Sequence, residues 1–376
     1  MTAPQTDIRT TAVRWRVAAA DATGAHHVAR QMRYEDAWAV TPATVLERDE
    51  PSVVVAVADG HGHARHFRSA EGAEIAVAVA ARLGAGSTAE IAAASDAATV
   101  EEILGRLAPA VVSVWREHVR RDIEERPVTD DERVAAGLEA DATFVELLYG
   151  YGATLLVAIA AGAWLACLQL GDGDLFVVAP DGTVRRPVPS DPRLDGLRTT
   201  SLCQPDAVDS IRYGVVKATA QPIGAVLLAT DGFGNAQRSR DWDGAFGADL
   251  ATLIQRHGDG WVARALPEWV RDCASSDGSG DDVTAVLLFA ADTPWLAATE
   301  PRWEEPPAPT TEPPADTRPL IPTQRSRPAS HRQVPAARST NRLRLPLRLR
   351  GNRLIALSAL VILVLAAGIG IWLGVS

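Results

Sequence analysis

Four segments of this chain place carboxylates directly at the edge of strand-like, mostly apolar stretches. They are Glu35-Asp36, Val53–Ala58 with Asp59-Gly60-His61-Gly62, Leu227–Ala229 with Thr230-Asp231-Gly232, and Gly280-Asp281-Asp282-Val283-Thr284. An apolar strand is a costly place to end on an unpaired carboxylate. One arrangement relieves all four costs together: the strand ends converge and a divalent cation neutralises the acids. Oxygen donors with no matching His or Cys cluster favour a hard ion, Mg²⁺ or Mn²⁺, over zinc. The pattern predicts a metal-dependent enzyme.

The chain has 376 residues, 47% of them hydrophobic, enough for one large domain of roughly 250–290 residues with its own core. Cys167, Cys203 and Cys273 stand at no metal-ligand spacing and read as reduced residues of a cytosolic domain. Met1–Arg14 contains no apolar run, so no signal peptide is expected. Residues 1–317 hold all 47 acidic residues against 27 basic ones, a net charge of −20. A body this acidic repels a phosphate backbone, which argues against nucleic acid as a partner.

The tail differs in kind. Ten of the 35 residues from 301 to 335 are proline, so residues 293–353 read as an extended, disordered linker. Leu354–Val375 follows as 22 residues without a charge, long enough to cross a bilayer as one helix. Arg342, Arg344, Arg348, Arg350 and Arg353 precede it. By the positive-inside rule they place the N-terminal side in the cytoplasm. The expectation is a single-pass protein of the cell membrane with a cytoplasmic domain over residues 10–292.

Within that domain, Ser52–Ala58 reads as a buried strand. Ser69–Leu83 has helical spacing, with Ile75, Val79 and Leu83 four apart and Ser69 as its cap. Val100–Ile123 continues as helix. Ala153–Ala160, Ala163–Leu170 and Leu175–Ala179 are β-like, and Ala161-Gly162 and Gly171-Asp172-Gly173-Asp174 between them read as the turns of a meander. Leu227–Ala229 and Val283–Phe289 complete the strands. Strands mixed with long helices, without βαβ alternation, indicate an α+β layered fold. The charged stretch Arg120–Asp141 reads as a loop able to gate access.

Six motifs then follow in order: Arg-Tyr-Glu-Asp-Ala-Trp (33–38), Ala-Asp-Gly-His-Gly (58–62), Gly-Ala-Thr-Leu (152–155), Gly-Asp-Gly-Asp (171–174), Thr-Asp-Gly-Phe (230–233) and Asp-Asp-Val-Thr (281–284). In this order they resemble the metal-dependent protein phosphatases, the PPM or type 2C serine/threonine phosphatases, in a bacterial form. The resemblance spans roughly residues 10–290. It implies a sandwich of two antiparallel sheets flanked by helices, with a two-metal centre of Mn²⁺ or Mg²⁺ at one end. Carried over residue by residue, it implies that Asp59 bridges both metals and that the Gly60 carbonyl binds one. Asp231 and Asp281 hold the other, Glu35 and Asp36 bind metal or orient its waters, and Asp172 serves a third, weaker ion. His61 matches the proposed general acid. His26, His27, His63 and His66 are left to surface or structural roles.

Three positions depart from the family pattern. Gln31 stands where many members carry a phosphate-clasping arginine, so Arg30 and Arg33 become the candidates; guanidinium forks suit phosphate. Gly-Asp-Gly-Asp replaces the usual Gly-Asp-Ser-Arg. Asp282 stands where Asn is common, and register favours Asp281 as the ligand of the pair. The chemistry is self-consistent: two cations about 3.5–4 Å apart depress the pKa of a bridging water and hold phosphoryl oxygens, while an imidazole protonates the departing oxygen. Phosphoserine and phosphothreonine on cytoplasmic proteins are the expected substrates, with a membrane Ser/Thr kinase as the opposing partner. A pseudophosphatase that binds phosphoproteins and a phosphomonoesterase for small molecules remain as alternatives.

Overall fold

Alternation along single strands sorts the interior into layers. In the computed structural model, which describes residues 13–194, 199–239, 241–291 and 293–296, ten strands are present among those residues. They are β1 (Trp15–Ala22), β2 (Ala37–Thr41), β3 (Ser52–Ala58), β4 (Leu155–Ala161), β5 (Trp164–Leu170), β6 (Asp174–Val178), β7 (Val184–Arg185), β8 (Arg212–Lys217), β9 (Ala225–Ala229) and β10 (Val283–Ala290). Along β3, Val53, Val55 and Val57 join one apolar cluster, whereas Val54, Ala56 and Ala58 join another. The same split appears in β9: Val226 and Leu228 face one layer, Ala225, Leu227 and Ala229 the other. Side chains on a strand alternate by necessity, so each strand feeds two layers.

The strands form two five-stranded antiparallel sheets, ordered β1-β10-β9-β6-β7 and β2-β3-β4-β5-β8. Trp15, Val17, Val55, Leu156, Leu165, Val177, Leu228 and Val286 fill the space between them. Helices Ser69–Ala93 and Ala97–Glu125 cover the outer face of the second sheet; Trp242–His257 and Asp259–Ala274 cover that of the first. Burying each valine or leucine contributes about 1.5–3 kcal/mol. In β3 a slip of one residue would exchange Val55 and Val57 with Ala56 and Ala58, leaving gaps on one face and clashes on the other. The expected α+β architecture of two antiparallel sheets and flanking helices is the one observed.

Four local expectations need correction. The Ser69–Ala93 helix runs ten residues beyond Leu83. Its buried stripe is mostly of small residues, among them Ala73, Ala76, Ala80 and Gly84; of the three expected positions Val79 is buried, while Ile75 and Leu83 are only half-buried. By length and composition it is apolar enough to cross a membrane, but here it packs against β2, β3 and β4. Ser69 is its first residue rather than its cap, and its side chain is buried. Next, β4, β5 and β6 are not a meander: β5 pairs with β4 and β8, and β6 crosses to the other sheet beside β9. Gly171, at φ +95°, makes this possible, because only glycine adopts that backbone readily. Finally, Arg120–Asp141 is not a loose loop. It contains the end of the long helix and a second helix, Asp130–Ala136, closed by a reciprocal cap between Thr129 and Glu132.

Of the expected linker, residues 293–296 are described and pack on the domain: Trp295 joins the apolar cluster on the outer face of the first sheet, and the Leu296 amide donates to the Pro180 carbonyl at 2.9 Å. Residues 297–353 and the apolar run Leu354–Val375 lie outside the described residues.

Candidate metal centre

Pairing register brings the acidic motifs to one end of the sandwich. Ala37 pairs with Ala58, so Asp36 and Asp59 leave adjacent strand ends. Ala229 pairs with both Asp174 and Ala285, which sets Asp231 beside the β5–β6 turn and beside the start of β10. The β3–β4 ladder continues past the strands: the Asp59 amide donates to Thr154 Oγ1 at 3.0 Å, and the Thr154 amide to the Asp59 carbonyl at 2.9 Å. Gly60 fits because a Cβ there would stand 2.6 Å from the Glu35 carbonyl oxygen and 2.9 Å from Ser69.

The carboxylates feel one another. Burial first, and then the charges of Asp36, Asp231, Asp281 and Asp172, push the Asp59 carboxyl well above the usual range. Burial, Asp172 and Asp281 push Asp231 up to about 6, while a hydrogen bond shared with Asp59 pulls the other way. Asp36 is buried and likewise raised, mainly by burial; Thr230 and Thr284 hydroxyls donate to its Oδ2 at 2.8 and 3.0 Å. Glu35 is raised by burial, which outweighs the opposing Ser69 hydroxyl, His27 and Arg33, and its buried Oε2 accepts no hydrogen bond of good geometry among the described residues. Asp172 is exposed and accepts a 2.8 Å hydrogen bond from Thr199. No three His, Cys, Asp or Glu side chains already stand in ligand geometry about one point among the described residues. The donor set is nonetheless all oxygen, mutually repelling and short of counter-charge, which suits a hard divalent ion.

The neighbouring acids of the 281–282 pair have different surroundings. Asp282 Oδ1 accepts the Gly24 amide at 2.8 Å and its Oδ2 the Glu35 amide at 2.7 Å, with His27 Nδ1 at 2.9 Å. Both its oxygens are committed to holding the 24–35 segment. The Asp281 side chain is 54% exposed. The two arginines differ as well. Arg33 forms a two-point pair with Glu71, which raises its pKa, whereas the Arg30 side chain is exposed and makes no hydrogen bond or ion pair among the described residues.

His61 follows the Asp59 segment, its amide donating to the Gly152 carbonyl at 3.3 Å. Its ring packs edge-on against His66 at 4.8 Å. Burial, then His66, lowers its pKa to about 3. That direction is opposite to what a proton donor at neutral pH needs.

The residues that sequence reasoning missed are those that hold the acids. Thr230 and Thr284 sit inside the Thr-Asp-Gly-Phe and Asp-Asp-Val-Thr motifs, which carry no sign that their hydroxyls hold Asp36. Thr154 lies in Gly-Ala-Thr-Leu, and its hydroxyl fixes Asp59. His27 had no local signal; its contacts with Asp281 and Asp282 join residues more than 250 positions apart.

Several solved structures resemble the chain. PppA, a regulatory component of the T6SS in Pseudomonas aeruginosa, is 18% identical and has a TM-score of 0.45, over 73% of this chain and 97% of that one. The catalytic domain of the serine/threonine phosphatase PstP, in complex with two manganese ions, is 19% identical over 74% and 100% of the chains, at a TM-score of 0.43. A bacterial serine phosphatase is 13% identical over 73% and 97%, at 0.47. At these values the likenesses add nothing to the family assignment. Among curated proteins none matches by sequence. The model of the protein phosphatase 2C family matches residues 23–271, about two thirds of the sequence, and the chain belongs to that family.

Proposed function

We propose that the chain hydrolyses phosphoserine and phosphothreonine on proteins, with Mn²⁺ or Mg²⁺ held by Asp59, Asp231 and Asp281, by Glu35, Asp36 and Asp172, and by the Gly60 carbonyl. The observation that carries this reading is the convergence of five carboxylates at one end of the sandwich, where Asp36, Asp231, Asp281 and Asp172 add to burial in raising the pKa of Asp59. When bound, two such ions, with a third held more weakly, supply an acidified water and neutralise phosphoryl oxygens. Asp59 presents its carboxyl from a backbone fixed on both sides by Thr154. Asp36, held by two hydroxyls, orients rather than moves. Release of phosphate from a phosphoserine peptide tests the reading, with nucleotides and sugar phosphates as the competing substrates. Turnover of small molecules alone would favour the phosphomonoesterase alternative. Binding of phosphopeptide and metal without turnover would favour the pseudophosphatase.

Phosphate binding is assigned to Arg30, because Arg33 is committed to Glu71. Arg30→Ala is expected to raise KM for a phosphopeptide about tenfold, the value of one charge-assisted hydrogen bond, with kcat little changed. Arg33→Ala is expected to leave KM within about twofold on the same scale. The reverse order in steady-state kinetics would move the role to Arg33.

His61 is assigned as proton donor to the departing Ser or Thr oxygen. A phosphate dianion beside the ring favours the imidazolium and opposes the effect of burial. His61→Ala is expected to slow alkyl phosphates by about 10²–10⁴-fold. p-Nitrophenyl phosphate, whose leaving group hardly needs a proton, should be nearly unaffected. Equal losses on both would remove His61 from that role.

The apolar run Leu354–Val375 is assigned as a membrane tether, which would raise the effective concentration of the domain near membrane-bound substrates and an opposing Ser/Thr kinase. Recovery of the full chain in the soluble fraction would dismiss the tether.

A further inference from the structure

His27 is buried, 7% exposed, against the acidic end of the sandwich. Its Nδ1 lies 2.9 Å from Asp282 Oδ2 and 3.2 Å from the Arg33 carbonyl oxygen. Both neighbours are acceptors, so Nδ1 carries the ring proton. Asp282 cannot yield, because backbone amides of Gly24 and Glu35 occupy its oxygens. The ring is thus fixed with Nε2 turned the other way.

Nε2 faces Asp281 Oδ1 at 3.6 Å, beyond hydrogen-bond range. The space beside it is also bounded by Glu35: a Cβ built at Gly62 would stand 3.2 Å from Glu35 Oε2 and 3.3 Å from His27 Nε2. Glu35 Oε2 is buried and accepts no hydrogen bond of good geometry among the described residues. A ring nitrogen and two carboxylates therefore border one small space with no hydrogen bond among them.

We propose that His27 Nε2 is a nitrogen donor to the cation that Asp281 holds. The inference rests on the metal-dependent reading above and adds a nitrogen to an otherwise all-oxygen set. Histidines that ligate metals commonly donate the other ring N–H to a carboxylate or a carbonyl, which fixes tautomer and aim; His27 has both acceptors at Nδ1. Two donors about 2.1 Å from one ion stand roughly 3–3.5 Å apart, so the 3.6 Å separation closes with a small shift, and the half-exposed Asp281 has room to make it. An imidazole donor moves preference away from Mg²⁺ toward Mn²⁺ and later transition ions.

The test is pulsed electron paramagnetic resonance of the full chain loaded with Mn²⁺, read for ¹⁴N coupling, with Mn²⁺ and Mg²⁺ affinities measured by calorimetry. Wild type is expected to show directly bound nitrogen. His27→Gln is expected to lose that coupling and to bind Mn²⁺ about 10–100-fold more weakly, with a smaller change for Mg²⁺. Wild type that binds Mn²⁺ without nitrogen coupling overturns the proposal while leaving the metal-dependent reading intact. Coupling that persists in His27→Gln also overturns it, by assigning the nitrogen to another histidine. A chain that takes up no Mn²⁺ defeats the metal-dependent reading itself. If His27→Gln does not fold, the wild-type spectrum decides alone: no nitrogen coupling, no ligand.

Discussion

Asp59→Asn is expected to lower turnover by at least about 10³-fold, since Asp59 would hold the cations that acidify water and neutralise the phosphoryl group, while the domain stays folded. The stability of the metal-free protein should not fall, and this separates a functional from a structural acid. Asp59 is pushed well above the ordinary carboxylate range by burial and by four neighbouring acids. A raised carboxyl in the folded state means that folding binds protons there, so stability declines as pH rises through the shifted range. For Asp231, raised to about 6 from 3.8, the loss runs from near pH 4 to about 6. Metal-free protein should therefore melt lower at pH 7 than at pH 5 as far as these acids contribute. Asn at position 59 removes one of the repelling charges, and Mn²⁺ should raise the wild-type melting temperature more than that of the variant. Thermal melts with and without EDTA read both effects. A large destabilisation of metal-free Asp59→Asn would make Asp59 a structural residue.

Arg68→Met should cost about 3–5 kcal/mol, the price of leaving buried partners of a charge uncompensated. The Arg68 side chain is 7% exposed. Its guanidinium donates to both Glu132 oxygens at 2.8 and 3.0 Å, to the Arg126 carbonyl at 2.7 Å and to Tyr151 Oη at 2.7 Å. Tyr151 in turn donates to Asp122 at 2.6 Å. One side chain thus ties the end of the long helix, the Asp130–Ala136 helix and the segment before β4 to the loop that carries His61 and His66. Burial alone would raise Glu132, but hydrogen bonds from Arg68 and Thr129 outweigh it and bring its pKa to about 2 from 4.5. A depressed carboxyl stabilises the fold above its unfolded value, and that contribution disappears as pH falls from about 4.5 toward 2. The stability difference between wild type and Arg68→Met should shrink over the same range. Urea denaturation at pH 7 and pH 3 measures both. A loss under about 1 kcal/mol at pH 7, within the range of a surface pair, would show that water can replace the network.

What could be read from the sequence was local and apolar. β3 was legible to the residue because a run of valines ends on Asp-Gly. β5 and β9 were legible for similar reasons, and so, from periodicity, were the first part of the Ser69–Ala93 helix and most of Ala97–Glu125. β1, which reads Trp-Arg-Val-Ala-Ala-Ala-Asp-Ala, has too little β-branched character to declare itself; its place beside β10 is settled by tertiary pairing. The Asp259–Ala274 helix carries Pro267 inside it and follows the previous helix after a single glycine, so it offers little punctuation. The crossing of β6 to the other sheet depends on one positive φ at Gly171, and composition alone makes that loop look like a hairpin. At the acidic end, the residues named from the motifs do leave neighbouring strand ends, because each motif is a strand terminus. Their partners were hidden because they are distant: Arg33 with Glu71, Asp282 with Gly24 and Glu35, His27 with both acids. The Arg120–Asp141 stretch was misread because Arg68, which anchors it, lies more than 50 residues earlier.

This family member is proposed to remove phosphate by metal-dependent chemistry at the acidic end of its sandwich. The most direct measurement is phosphate release from a phosphothreonine peptide by the full chain, in Mn²⁺, in EDTA, and with Asp59→Asn in Mn²⁺. Turnover is expected in the first condition and none above background in the other two. Equal turnover in all three, or none from a folded chain shown by calorimetry to hold Mn²⁺, would contradict the proposal.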